Sequence, residues 1–326
     1  MGSNAEGPST TGDEHVTTRN TRNTGETVAF VLGGGGKLGT AEVGMLEALA
    51  AAGIVPDVVL GTSIGAINGA AIAADPTVGG VQALRKLWAG VESSGVFGGR
   101  LVDRVRHMAI ERTSLHSNEP LRRLLERALD HRRIEDLPIR FQCVAACIET
   151  ARAEWFTDGP VIDAVLASSA VPGLLPTVRI GDLHYMDGGI VDSIPVQRAV
   201  HLGATTIHVL QVGRIEQPLE PPTRPHEVAL VAFELARRHS FSAAMAGLPS
   251  GVTVHVLPTG GTGPKFNDLQ QLRYKDFSDV SGRIDRAREA TAAYLAERGL
   301  GASASESAGQ PAVERHPTGP DDGTAP

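Results

Sequence analysis

The sequence predicts an α/β fold built on a mainly parallel central sheet. Two observations carry this. The apolar runs Thr27–Leu32 and Val58–Leu60 have no polar alternation, as expected of strands covered on both faces. Each run also passes through a glycine-bearing turn into a stretch of small apolar residues suited to a helix, and strand and helix patterns keep alternating along the chain.

The first strand leads into Gly33-Gly34-Gly35-Gly36-Lys37-Leu38-Gly39 and then an apolar helix through Ala52. Four consecutive glycines weaken any regular element by roughly 0.5–1 kcal/mol each. They suit a loop whose bare N–H groups approach a ligand and face developing negative charge, helped by the positive end of the following helix.

The second strand runs into Gly61-Thr62-Ser63-Ile64-Gly65, followed by the small apolar helix Ala66–Ala74. A serine between glycines at a strand-to-helix turn reads as a nucleophile elbow. The turn is so tight that side chains two residues to either side of the serine collide, which favours Gly61 and Gly65. The bland reading is close strand–helix packing with no chemistry.

Further elements follow in order. Val81–Trp88 reads as helix, Glu92–Gly99 as a Gly/Ser-rich loop and Leu101–Ile110 as helix. Asn118-Glu119-Pro120 opens a helix through Asp130, with proline in its first turn. Phe141–Ile148 and Ala153–Phe156 read as neighbouring strands and Val161–Ser168 as a helix. The short strand Leu183–Asp187 ends at Gly188-Gly189, Asp192–Pro195 leads a helix to Leu202, and Thr206–Val212 and Val252–Leu257 are late strands.

Ser63 has no basic partner nearby in the sequence, so a distant group must activate it. Asp187 is the best candidate, because Gly188 and Gly189 let its backbone fold close to another loop; the alternative is that Asp-Gly-Gly is only a turn. Histidine fits poorly. His208 and His255 lie inside strand-like runs, His239 falls in the basic stretch Arg237-Arg238-His239 with a solvated face as default, and His184 precedes Asp187 in a strand. Gly34-x-Gly36-x-x-Gly39 also satisfies a dinucleotide-binding pattern, but the second strand ends in Leu60-Gly61-Thr62 with no acid for a ribose, and Asp57 precedes it. A phosphate-binding P-loop fails for want of Gly-Lys-Ser/Thr.

Glycine loop, GTSIG and Asp-Gly-Gly, in this order, resemble the patatin-like phospholipase family. Ala167–Gly173 and Val191–Val196 are further stretches similar to that family. The resemblance covers Val28 to about Val212 and, more loosely, the rest to about Gly299. It implies a three-layer α/β/α sandwich and a serine–aspartate dyad: Ser63 attacks an acyl ester, Asp187 takes its proton, and the backbone of Gly34, Gly35, Gly36 and Lys37 holds the oxyanion. Gly39, Gly61, Gly65, Gly188 and Gly189 are its motif glycines. It implies lipid acyl hydrolysis (phospholipase A or lysophospholipase type) with neither metal nor cofactor. The same acyl-enzyme would also serve an acyltransferase, and an impaired site a regulatory protein. One departure is Leu38, where the family usually carries Arg or Lys; Lys37 stands one residue early, and it or helix N–H groups are expected to supply part of the missing positive field.

Composition agrees with one globular unit. Residues 1–26 and 302–326 are polar tails expected to be disordered, flanking a domain at 27–301. Of the net charge of −7, the tails hold −2 and −3, leaving −2 for the domain, so nothing argues for nucleic acid. Neither a signal pattern nor a run approaching about 20 apolar residues is visible, which together with the thiols points to the cytoplasm. Cys143 and Cys147, four apart on a strand, share a face too far apart for a disulfide and read as buried thiols. An apolar entrance for lipid is expected along Val91–Ile110 (Val96, Phe97, Leu101, Met108) or Glu227–Leu248 (Phe233, Phe241, Met245). Arg237, Arg238 and His239 beside the latter are expected to touch anionic headgroups in a transient contact with a membrane surface.

Overall fold

The computed structural model describes residues 25–94, 114, 116–130, 132–212, 218–261 and 279–301. The two expected tails, apart from Gly25 and Glu26, lie outside the described residues, as do residues 95–99 of the expected loop and the expected helix Leu101–Ile110 with the lipid-entrance residues Val96, Phe97, Leu101 and Met108.

Among the described residues eight strands form one sheet: β1 (Val28–Leu32), β2 (Val58–Thr62), β3 (Arg140–Cys147), β4 (Arg152–Phe156), β5 (Val178–Ile180), β6 (Leu183–Asp187), β7 (Thr206–Leu210) and β8 (Thr253–Val256). The described helices are α1 (Thr40–Ala51), α2 (Ile64–Ala74), α3 (Val78–Ser94), α4 (Glu119–Leu129), α5 (Val161–Ser168), α6 (Val196–His201), α7 (Pro225–Ala246) and α8 (Val280–Glu297). Hydrogen-bonded neighbours run β5-β6-β3-β2-β1-β7-β8, with β4 also on β3. β1, β2, β3, β7 and β8 are mutually parallel, while β4 and β6 run against β3.

The unbroken apolar runs are explained by burial on both faces. Along β1, Val28, Phe30 and Leu32 join Val59 in the apolar cluster under α1, α2 and α8, whereas Ala29 and Val31 join Val58 and Leu60 in a second cluster against α6 and Phe241 of α7. Helices therefore cover both sides of the sheet, which is a three-layer α/β/α sandwich. Cys143 and Cys147 are buried free thiols in the first cluster with Phe141 and Ala145, on one face as their spacing requires. Asp57, placed before β2, accepts the Val28 N–H at 2.7 Å and pins the start of β1.

Three segments differ from the sequence reading, one of them α8, which was not assigned there and which buries Val280, Ile284, Ala287 and Leu295 in the first cluster. α3 continues through Ser94, taking in part of the Glu92–Gly99 stretch expected to be loop, because Trp88 and Val91 extend its buried face by one more turn. β5 was not expected. Its three residues carry too little pattern to read, and it exists because the Gly181–Asp182 turn folds it onto β6.

The register of β3 positions the site. Cys143 and Val144 pair with both β2 and β4, and Ala145–Cys147 with both β4 and β6. A strand has two edges, so β2 and β6 share one edge of β3 in succession and meet end to end. β2 stops at Thr62 opposite Val144; β6, arriving from the other direction, stops at Asp187 opposite Ala145.

Candidate active site

Ser63 is the residue between β2 and α2. Its backbone adopts φ 56°, ψ −121°, a region that non-glycine residues occupy only under constraint. The constraint is visible. A methyl group on Gly61 would lie 2.5 Å from the Ala66 Cα, and one on Gly65 would lie 2.3 Å from the Leu32 carbonyl oxygen. The Ser63 N–H donates to Ser168 Oγ at 3.0 Å, and the Ser169 hydroxyl donates to the Ser63 carbonyl at 3.1 Å. Thr62 Oγ1 donates to the Asp192 carbonyl at 2.9 Å.

Asp187 closes β6. Its Oδ2 accepts the Ser63 hydroxyl at 2.6 Å, and its Oδ1 accepts the Gly189 N–H at 2.7 Å. Both side chains are buried, each residue 7% exposed. Burial pushes the Asp187 carboxyl up to about 6, against the lowering effect of its bonds from Ser63 and Gly189. Gly188 is required by close approach, since a methyl there would sit 2.1 Å from the Val144 carbonyl oxygen. Asp192, half-buried nearby, is also pushed up to about 6 by desolvation.

No histidine bonds to Ser63 or Asp187 among the described residues. His184 pairs with Glu149 at 2.6 Å, His208 stacks on His255 at 5.1 Å, and His255 meets Tyr294 Oη at 3.3 Å.

The glycine loop lies over the elbow: a methyl on Gly34 would be 3.7 Å from Ser63 Cβ and 3.3 Å from Ser193 Oγ. One expectation changes here. The Gly34 N–H donates to the Ser193 carbonyl at 2.9 Å, so it is committed to holding the loop and is removed from the candidate oxyanion donors. The N–H groups of Gly35 and Gly36 have no acceptor among the described residues, and Gly36 reaches its place with φ +53°. Lys37 is described by its backbone alone. Leu38, in the position of the expected cation, packs partly against the apolar cluster beneath the sheet.

The basic stretch on α7 also differs from expectation. Arg237 is 9% exposed and makes two bonds to the buried Glu234, at 2.8 and 2.7 Å, and Arg238 joins the same carboxylate at 2.8 Å. These arginines turn inward to neutralise Glu234 instead of presenting a headgroup-binding face; His239 alone of the three is exposed. Phe241 is likewise buried, and the Phe233 side chain lies outside the described set.

Ser168, Ser169, Asp192 and Ser193 carry roles that sequence reasoning did not assign. Their stretches were singled out only by resemblance, and none has a spacing that predicts a bond to a residue more than a hundred positions away.

A family model for patatin-like phospholipase matches residues 30–200, spanning the glycine loop, Ser63 and Asp187. Lysophospholipase nte1 of Aspergillus terreus is 35% identical over 205 residues, covering 63% of this chain and 13% of that protein. Patatin-like phospholipase domain-containing protein 7 of Rattus norvegicus is 33% identical over 193 residues, 58% of this chain and 14% of that one. The chain thus spans about an eighth of the length of these relatives. The crystal structure of VipD from Legionella pneumophila aligns with a TM-score of 0.41 at 13% identity, over 83% of this chain and 67% of that one. Among the described residues no helix is long and apolar enough to cross a membrane. With more than half of its length matched by the family model, this chain is a member of the patatin-like phospholipase family.

Proposed function

We propose that this protein is a serine lipid acyl hydrolase acting on phospholipid or lysophospholipid esters, with Ser63 as nucleophile and Asp187 as general base. The observation that carries the reading is the buried 2.6 Å bond between Ser63 Oγ and Asp187 Oδ2, with no imidazole bonded to either residue among those described. The names of the relatives, lysophospholipase and patatin-like phospholipase, support the substrate class.

In this mechanism the Ser63 Oγ attacks the ester carbonyl carbon as its proton passes to Asp187 Oδ2. The carbonyl π pair moves onto oxygen, and the N–H groups of Gly35, Gly36 and Lys37 stabilise that charge, each typically worth about 2.7–4 kcal/mol. Collapse expels the alcohol, which takes the proton from Asp187, and leaves an acyl-serine. Water then attacks with Asp187 again as base, releasing the fatty acid and restoring Ser63. An ordinary aspartate, with pKa about 3.9, is a poor match for a serine hydroxyl. Burial raises Asp187 toward the working pH, and concerted attack covers the remaining gap. The protein works in the cytoplasm and meets its lipid by transient contact with a membrane surface.

The test is hydrolysis of a lysophospholipid and ester panel, wild type beside Ser63→Ala, with fluorophosphonate labelling of the serine. Label on Ser63 and hydrolysis lost in the variant are expected. An unlabelled Ser63, or a variant as active as wild type, would sink the reading; transfer of the acyl group to added alcohol in preference to water would make the enzyme an acyltransferase.

A further inference from the structure

Beneath the glycine loop three helices meet at one polar point in an apolar core. Asn68, on α2 one and a half turns after Ser63, donates from Nδ2 to the Gly39 carbonyl at 3.0 Å and to Glu42 Oε2 at 2.8 Å. Its Oδ1 accepts the Trp88 Nε1–H at 2.8 Å. Asn68 and Glu42 are 0% exposed and Trp88 is 1% exposed. Gly39 is the residue at which the glycine loop enters α1. The loop's other end is held by the Gly33 N–H on the Leu210 carbonyl and the Gly34 N–H on the Ser193 carbonyl.

Packing alone does not account for this cluster. Among the described residues Glu42 Oε1 is buried with no hydrogen-bond partner of good geometry, and an orphaned buried polar atom typically costs about 1–3 kcal/mol. Burial also drives the Glu42 carboxyl well above the usual carboxylate range, against the lowering effect of Asn68 and of the Gly33 backbone. An apolar side chain of similar size would avoid both costs. A residue kept at a cost to stability points to a task in the site it adjoins.

We propose that Asn68, braced by Glu42 and Trp88, is the positioning residue of the oxyanion loop: it ties the helix that carries Ser63 to Gly39, and so fixes the Gly35–Lys37 amides relative to the serine. The inference rests on the hydrolase reading above. Asn68 touches no reacting atom; it acts through the Gly39 carbonyl. Its loss therefore lowers the rate of acylation more than substrate affinity.

The experiment compares Asn68→Ala, Glu42→Gln and Glu42→Leu with wild type. It measures kcat and KM on a soluble ester, thermal melting, and deuterium uptake of the Gly33–Gly39 peptide. Asn68→Ala is expected to lose about tenfold or more in kcat, with KM held within about threefold, and to exchange faster across the loop. Glu42→Gln, which keeps a neutral carbonyl acceptor, retains most of the turnover and protection. Glu42→Leu melts no lower than wild type yet loses turnover and protection. Should Asn68→Ala fail to fold, the two Glu42 variants decide alone. Wild-type kcat and exchange in Glu42→Leu would overturn the proposal. If the wild-type protein itself shows no turnover that depends on Ser63, the hydrolase reading falls, and the loop exchange still decides whether the brace exists.

Discussion

Thr62 and Asp187 face consecutive residues of one strand: Thr62 pairs with Val144 and Asp187 with Ala145. β2 and β6 therefore end against each other on the same edge of β3. Ser63, the next residue after Thr62, meets Asp187 across that junction although 124 positions separate them. A one-residue slip of β6 on β3 would turn Asp187 to the opposite face and break the pair.

The pair should behave as a unit. Ser63→Ala and Asp187→Ala are each expected to lower kcat by at least about a thousandfold, and the double variant to be no worse than either single one. Steady-state kinetics on one ester substrate decide it. Near wild-type turnover in Asp187→Asn would remove Asp187 as base.

Activity should rise with pH through about 6, where Asp187 loses its proton. Asp192 titrates in the same range, so the assignment needs Asp192→Asn as a control; its acid limb is expected to stay in place. The sign for stability is opposite. Asp187 is protonated more readily in the folded than in the unfolded chain, so between about pH 4 and 6 its contribution to stability falls as pH rises. Asp187→Asn is accordingly expected to melt higher than wild type at pH 7, with the advantage shrinking below pH 6. An acid limb unmoved near 6 in wild type but absent in Asp192→Asn would transfer the role.

His208 gives a second pH signature. Desolvation, and secondarily the charge of His255, lower it to about 4, so it is buried neutral at 2% exposure. Unfolded, it takes a proton near 6.5. Its contribution to stability is present above about 6.5 and is lost as pH falls toward 4, the reverse of Asp187 over the shared window. Urea unfolding across this range should show a shallower acid loss in His208→Phe, which keeps a ring beside Phe30 and His255. An unchanged slope would mean that other groups govern the acid limb.

The elbow's backbone is predicted to depend on two kinds of support. Gly65→Ala places a methyl 2.3 Å from the Leu32 carbonyl oxygen, which the strand end cannot yield, so loss of soluble protein or a drop of several kcal/mol (about 3 or more) is expected. Ser168→Ala leaves the buried Ser63 N–H without its acceptor, at a cost of about 1–3 kcal/mol, and loosens the serine. Thermal melts and ester turnover measured together separate the two: Ser168→Ala should fold and lose rate, whereas Gly65→Ala should fail first in folding.

Much of this was legible in the chain because it depends on local sterics. Glycine at 61 and 65 marks the tight turn around Ser63, and unbroken apolar runs mark strands covered on both faces. The aspartate followed by two glycines marks a strand end that must pass close to another backbone, here that of Val144. These signals need only a few neighbouring residues to be read. The inward turn of Arg237 and Arg238 was not legible, because a basic run on a helix looks alike whether it faces water or a buried glutamate.

By itself the sequence determined most of the elements, the elbow, the glycine loop and the candidacy of Ser63 and Asp187. Only the tertiary structure decided that β6 lands on the edge of β3 just beyond β2, that Ser168 and Ser169 grip the Ser63 backbone, and that the Gly34 amide is spent on Ser193. The physical reason is one of range. Turn sterics and apolar periodicity act between neighbours along the chain, whereas the bonds that finish the site join segments whose distance is set by sheet register, and register is fixed only when the whole core packs.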